Sequence, residues 1–124
     1  MCNTINYERS DYQKEPVEGI GWKIFNVSRR GVFSMMTVNS PSSCFEPYLT
    51  NEWIKFKDPD PETGFCFFLD KEIGMEVLEL WRLGAPTTNY QLYEIHFKKC
   101  LGSMLMSIMN VSGCRAGLTR EILI

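Results

Sequence analysis

A run of apolar residues that leads directly into an amphipathic segment constrains this sequence more than any other feature. Residues 64–69 read Gly-Phe-Cys-Phe-Phe-Leu, and such an unbroken run predicts a central strand that is covered on both faces. Asp70 follows at the position of a helix N-cap, and Glu72 suits the first helical turn. The helix is expected to end at Gly84, because Pro86 prevents its continuation. Its apolar stripe, which should face the sheet, comprises Ile73, Val77, Leu80 and Trp81.

The rest of the chain is rich in strand-forming residues. Residues 21–27 and 32–38 are separated by the short segment Ser-Arg-Arg-Gly, and this arrangement predicts a β-hairpin. Further strands are expected over residues 51–56, 89–98 and 118–124, with loops over residues 39–43 and 58–64.

Residues 101–110 fit two kinds of element. The length of this apolar run suits a strand, whereas its large side chains recur at helical spacing, and the spacing favours a second helix. The residues on that helical face are Leu101, Met104, Leu105 and Ile108.

Together these elements predict an α+β fold, a mostly antiparallel β-sheet with one or two helices packed on one face. The length of 124 residues suits a single domain, which we expect over residues 17–124. Residues 1–16 are polar and should form an N-terminal arm that is anchored by Tyr7 and Tyr12.

Charge and composition exclude several classes of protein. The formal net charge is −2, and a duplex-DNA binder would need a clustered excess of Lys and Arg. No apolar run approaches the ~20 residues of a membrane-spanning helix, and the first residues do not resemble a signal peptide. We therefore expect a cytoplasmic protein that has no membrane partner and does not bind duplex DNA.

The five cysteines are odd in number and widely spaced, which predicts reduced thiols rather than a disulfide framework. A zinc site assembled from Cys66, His96, Cys100 and Cys114 is the alternative. We expect no cofactor.

Two charged segments are candidate binding surfaces. The acidic loop, with Asp58, Asp60 and Glu62, can meet a basic surface on another protein. The hairpin tip carries Arg29 and Arg30. Arg29-Arg30 and the pair Lys98-Lys99 are basic points that, combined with Trp22 and Trp53, can hold an anionic nucleotide by charge and stacking. A nucleotide-binding sponge would use Arg29, Arg30 and an exposed aromatic residue.

Catalysis is the less favoured interpretation. Glu94 and His96 alternate on one strand, so the carboxylate can orient the imidazole for acid–base chemistry. Cys100 follows two lysines that can lower the pKa of its thiol, as a nucleophile requires. A small transferase-like enzyme would use these three residues, yet nothing around them resembles a phosphate loop or a nucleophile elbow.

Three segments carry a resemblance to known proteins. They are Gly-Trp-Lys-Ile-Phe at residues 21–25, Asn-Glu-Trp at residues 51–53 and Gly-Phe-Cys-Phe-Phe at residues 64–68, just before the predicted helix. In this order they resemble small uncharacterised phage and prophage proteins. Many of those proteins have a histidine where this chain has Cys66, so an activity that needs that imidazole is not implied.

The resemblance implies a mobile-element origin and no defined reaction. On that basis the expected role is that of a phage-type host modulator that acts in the host cytoplasm. Such a protein would inhibit a host protein, for example a defence nuclease, by direct binding through Asp58, Asp60, Glu62, Arg29 and Arg30. The alternative is a sponge that binds a nucleotide signal molecule.

Overall fold

The computed structural model describes residues 2–4, 8–34, 47–57, 59–108 and 110–124. Within these residues a mostly antiparallel sheet is accompanied by one helix. The strands are β1 (Cys2–Thr4), β2 (Tyr12–Gln13), β3 (Gly19–Ser28), β4 (Gly31–Ser34), β5 (Trp53–Lys55), β6 (Thr63–Phe68), β7 (Tyr90–Ile108) and β8 (Val111–Leu123), and the helix is α1 (Lys71–Gly84). The predicted antiparallel sheet with a helix on one face is confirmed in this form.

A long hairpin of β7 and β8 organises the sheet. β7 has 19 residues and β8 has 13, and they pair from His96↔Leu123 to Ile108↔Val111. Asn110, between the two strands, has a φ of 67°, a conformation that Asn tolerates better than most residues. The registers shift between Cys100 and Gly102 and again between Met106 and Ile108.

The predicted helix over residues 101–110 is wrong, because residues 101–108 continue β7. Met104 pairs with Ala116 and Leu105 with Arg115, so the backbone groups of this segment are satisfied by β8 rather than within a helix. The helical spacing of its apolar residues is overridden by this tertiary pairing.

The sheet closes on itself around an aromatic interior. β3 pairs with β7, β7 with β8, β8 with β6, and β6 returns to β3 at Phe68↔Trp22. The buried Lys23 strengthens this closure, since its Nζ donates to the carbonyl of Cys66 at 2.7 Å. The buried residues of the interior are Phe25, Phe65, Phe67, Ile95, Phe97 and Ile122.

The prediction of a central strand at residues 64–69 is confirmed. β6 pairs with β1 on one side and with β8 on the other, and its residues from Gly64 to Phe68 are buried. Phe65 and Phe67 face the interior, while Cys66 packs with Ala116.

The predicted helix start and end are also confirmed. Asp70 is the N-cap of α1, and its Oδ1 accepts a hydrogen bond from the backbone N–H of Glu72 at 2.9 Å. Val77 is fully buried against the sheet, as the stripe predicts, but Leu78 is buried where Leu80 was expected. Trp81 is half-buried and packs edge-on against Tyr90.

The structure confirms the predicted β-hairpin and one predicted anchor of the N-terminal segment, whereas two other predictions lie outside the described residues. The hairpin is confirmed by the pairing of β3 with β4 from Phe25↔Ser34 to Ser28↔Gly31, and its return strand is described to Ser34. The loop predicted over residues 39–43 lies outside the described residues, as does Tyr7. In the N-terminal segment, Tyr12 is the anchor that was predicted, because its hydroxyl donates to the carbonyl of Leu101 at 2.8 Å.

Within the described ranges, no helix is long and apolar enough to cross a membrane.

Candidate ligand-binding face

A straight row of side chains crosses four neighbouring strands on one face of the sheet. Ile20 of β3 is the partner of His96, His96 is the partner of Leu123, and Leu123 is the partner of Trp53 on β5. Side chains directly opposite each other on paired strands lie on the same face. We call these four residues the apolar row. Its two ends are open to solvent, since Ile20 is 48% exposed and Trp53 is 42% exposed.

Lysines lie beside the apolar row. Two residues before Leu123 on β8, Glu121 pairs with Lys55 of β5 on one side and with Lys98 of β7 on the other. Lys99 follows Lys98 in a left-handed backbone conformation with a φ of 61°. We call Lys55, Lys98 and Lys99 the lysine cluster, and Glu121 lies beneath it.

Glu121 holds two of these lysines in place. Its carboxylate is 3.2 Å from Lys99 Nζ and 3.5 Å from Lys98 Nζ, while Glu121 itself is only 4% exposed. Burial of this carboxylate raises its pKa, but the hydrogen bonds and charges of Lys99 and Lys98 outweigh that effect and hold the pKa below its ordinary value. Glu121 is therefore ionised at neutral pH and fixes the positions of both ammonium groups.

Trp53 and Lys98 are joined across the intervening strand. Lys98 Nζ lies 4.1 Å from the centroid of the Trp53 ring, which is a cation–π distance. Lys98 thus contacts the indole ring and the Glu121 carboxylate together. The three lysines outnumber the one buried carboxylate, so this face offers positive charge next to an exposed indole.

The structure separates the two basic points that the sequence singles out. Lys98 lies near the start of β3, because the preceding residue, Phe97, pairs with Gly19. Arg29 and Arg30 directly follow the last residue of β3, Ser28. A strand of ten residues is roughly 30 Å long, so the hairpin tip and the lysine cluster flank opposite ends of β3. Trp53 combines with Lys98, and the hairpin tip belongs to a different surface.

The acidic loop is held in a fixed shape by a basic residue beneath it. Arg120 Nη1 donates to the carbonyls of Asp60 at 2.8 Å and Thr63 at 2.7 Å, and its guanidinium lies over the ring of Phe56. Asp60 Oδ1 accepts from the backbone N–H of Glu62 at 3.0 Å, and both of these acidic residues are exposed. Asp58 lies outside the described residues.

The acidic loop and the lysine cluster approach β8 from different sides. Arg120 contacts the loop and the next residue, Glu121, contacts the lysines. Successive side chains of a strand point to opposite faces of a sheet. The acidic loop and the lysine cluster are thus separate surfaces of a protein whose net charge is small.

The candidate catalytic residues Glu94, His96 and Cys100 all lie on β7. Glu94 and His96 are both exposed on β7, as a solvated strand face requires. Burial of the Cys100 thiol raises its pKa despite the hydrogen bond that it donates to the carbonyl of Gly102, which disfavours the nucleophilic thiolate. The expectation that Lys98 and Lys99 lower this pKa is wrong, because both ammonium groups are directed to Glu121.

The alternative of a zinc site is also wrong for the residues proposed. Cys114 packs between the sheet and α1, Cys66 packs with Ala116 and Leu118, and Cys100 lies near the aromatic interior. No group of three or more potential ligands comes together to hold a metal ion in the part of the chain that the structure describes. All three of these cysteines are free thiols.

Sequence reasoning missed Ile20, Lys55 and Glu121 as members of this face. Their meeting depends on registers between strands that are far apart in the chain, and no local pattern reports such registers. The one available signal is Glu121 itself, a carboxylate that directly precedes the apolar residues 122–124 at the end of β8. A charge in such a strand needs a partner of opposite charge.

Comparison with known proteins adds no further assignment, since no protein family, curated protein or solved structure matches this chain.

Proposed function

We propose that this protein acts by binding, and that its ligand is an anionic molecule with a planar ring, such as a nucleotide. The observation that carries the proposal is Trp53, which is 42% exposed and has Lys98 Nζ 4.1 Å from its ring centroid. An exposed indole next to cationic groups provides both a stacking surface and a phosphate-binding charge. This proposal keeps the nucleotide-binding sponge that the sequence suggested as an alternative, with the lysine cluster in place of Arg29 and Arg30.

The charge balance supports a phosphate on this face. Lys99 keeps 64% of its side chain exposed and Lys98 keeps 37%, so both can reach a ligand while they contact Glu121. Lys55 adds a third positive charge opposite Glu121. A group with two negative charges would therefore meet an excess of positive charge on a face that is already ordered, which lowers the entropic cost of binding.

Thermal unfolding with and without mononucleotides and dinucleotides tests the proposal, because a ligand that binds only the folded state raises the melting temperature. We expect one or more nucleotides to raise it for the parent protein, and Trp53→Ala and Lys99→Gln to reduce that rise. The double change Arg29→Gln with Arg30→Gln is the matched control, since it removes positive charge at the other end of β3. A rise that is lost in the control and kept in Trp53→Ala would move the site to the hairpin tip.

A second proposal concerns the acidic loop, and its support is the clamp formed by Arg120. A loop with a fixed backbone and exposed Asp60 and Glu62 loses little conformational entropy on docking to a basic protein surface. If the resemblance to phage proteins holds, that partner is a host protein such as a defence nuclease, and the chain is a host modulator.

Capture of the partner from a bacterial lysate tests this second proposal. The triple variant Asp58→Asn, Asp60→Asn and Glu62→Gln keeps the shape of the loop and removes its charge. We expect it to bind the partner several-fold less, with parent binding that weakens as salt rises. Equal capture by parent and triple variant, insensitive to salt, would contradict it.

A further inference from the structure

We infer that the ligand of the apolar row is a short single strand of nucleic acid, which extends across several strands of the sheet. This inference rests on the proposed function and names the class of ligand more closely. Its basis is the length of the row, because Trp53 alone suffices for a mononucleotide, whereas the row continues through Leu123 and His96 to Ile20.

The row has the dimensions of a ligand with more than one base. Neighbouring strands are about 4.8 Å apart, so the three spacings from β5 to β3 cover about 14 Å. Trp53 and His96 provide rings for stacking, and single-stranded nucleic acids are bound on such aromatic platforms without a need for base pairing. Ile20 is 48% exposed at the far end of the row, where it offers apolar contact to a further base.

Charges on the two sides of the row orient the ligand. Lys98 lies on one side of His96, and Glu94, which is exposed and pairs with Trp22, lies on the other. A phosphate backbone is attracted to the lysine side and repelled from the Glu94 side. The bases then project over the apolar row.

The same arrangement disfavours a duplex. Three lysines surround Glu121 among the residues that the structure describes on this face, and the phosphates of a duplex need a larger positive surface. The row is part of a sheet face, and it offers no projecting helix to enter a major groove. A single strand, by contrast, exposes the ring faces that stack on Trp53 and His96.

Fluorescence anisotropy with labelled thymidylates of one, two, four and eight nucleotides tests the inference. We expect the affinity to rise at least about tenfold from one to four nucleotides and then to level off. Neutralisation of two or three phosphates predicts a slope of about −1.4 to −2.1 in a plot of log affinity against log salt concentration. Ile20→Thr, which keeps a β-branched side chain on β3, should weaken four-nucleotide binding several-fold and should weaken it more than it weakens mononucleotide binding.

Controls separate this inference from the proposed function. Leu83→Gln replaces an apolar residue that is 79% exposed on α1, and it should change neither affinity. Mononucleotide binding as tight as oligonucleotide binding would overturn the inference and leave the proposed function standing. Absence of binding to every nucleotide and oligonucleotide would overturn both, and a duplex or a polyglutamate peptide that binds as tightly as the single strand would overturn the inference.

Discussion

Phe67 and Gly117 are directly opposite each other on β6 and β8, and the Phe67 ring fills the space that a side chain at Gly117 would need. Gly21 of β3 meets the same ring from another strand. Phe67 also packs against Phe97, with ring centroids 4.6 Å apart. A single buried ring therefore sets the identity of two glycines that are far apart in the chain.

Gly117→Ala should lower the free energy of unfolding by about 1–3 kcal/mol or more, because the added methyl group overpacks the interior. Phe67→Ala should cost about 3–5 kcal/mol through the cavity that it leaves. Urea unfolding measures both. The control is Gly84→Ala at the end of α1, where an added Cβ meets nothing within 4 Å and should be neutral or slightly stabilising. Similar stability for the Gly117 and Gly84 variants would contradict the packing described for Phe67.

Trp81 offers a different test of the core, because its buried Nε1 donor lacks a hydrogen-bond partner among the described residues. Trp81→Phe removes this donor and retains an aromatic ring against Tyr90. We expect it to change the free energy of unfolding by less than about 1 kcal/mol, whereas Trp81→Ala should cost about 3–5 kcal/mol. Equal losses for the two variants, measured by urea unfolding, would show that the indole nitrogen has a role of its own.

The ion pairs of Glu121 predict a dependence of stability on pH. Since the pKa of Glu121 is held below its ordinary value of 4.5, its contribution to stability is fully present above pH 4.5. That contribution is lost as the pH falls through the lowered pKa of the folded state. Glu121→Gln should therefore be less stable than the parent at neutral pH, and the difference should shrink in acid.

Urea unfolding of both proteins from neutral pH down to about pH 3 measures this difference. Glu94→Gln is the matched control, because Glu94 is exposed on the neighbouring strand and its replacement should stay within about ±0.5 kcal/mol. A difference between Glu121→Gln and the parent that grows in acid would have the wrong sign for the geometry described.

The cysteines give a prediction about reactivity. All five thiols should titrate under denaturing conditions in freshly purified protein, and a reproducible count of three or fewer would defeat the assignment of reduced thiols. In the folded protein Cys114 should react slowly, because it is fully buried and burial raises the pKa of its thiol. Time courses with a thiol reagent, before and after denaturation, measure both properties.

Local patterns predicted the elements whose determinants are local. Asp70 and Gly84 mark the ends of α1 through capping and chain termination, and the Arg29-Arg30 turn marks a hairpin. Residues 101–108 could not be assigned in this way, because their side-chain spacing agrees with a helix and their partners in β8 decide otherwise. Where two strands pair, spacing within one of them is weaker information than the register between them.

The candidate site was predictable only in part for the same reason. Trp53 and the pair Lys98-Lys99 were recognisable from their residue types as a stacking surface and a basic point. Their meeting requires β5, β8 and β7 to be neighbours in that order, with Leu123 opposite both His96 and Trp53. The charge and aromatic character of each residue are evident from the sequence, but the order in which strands neighbour each other in the sheet is not.

The pairing of β3 with β7 has a consequence for synthesis of the protein. The partners of β3 follow it by roughly 60–80 residues, and a ribosome needs on the order of 3–16 s to add that many residues at about 5–20 residues per second. During this interval the nascent β3 has only upstream or nearby strands to pair with, and an open strand edge invites association with other chains.

The hairpin of β3 and β4 can form early, since only Arg29 and Arg30 separate the two strands. Two adjacent positive charges at that turn would then act as gatekeepers that keep nascent chains apart.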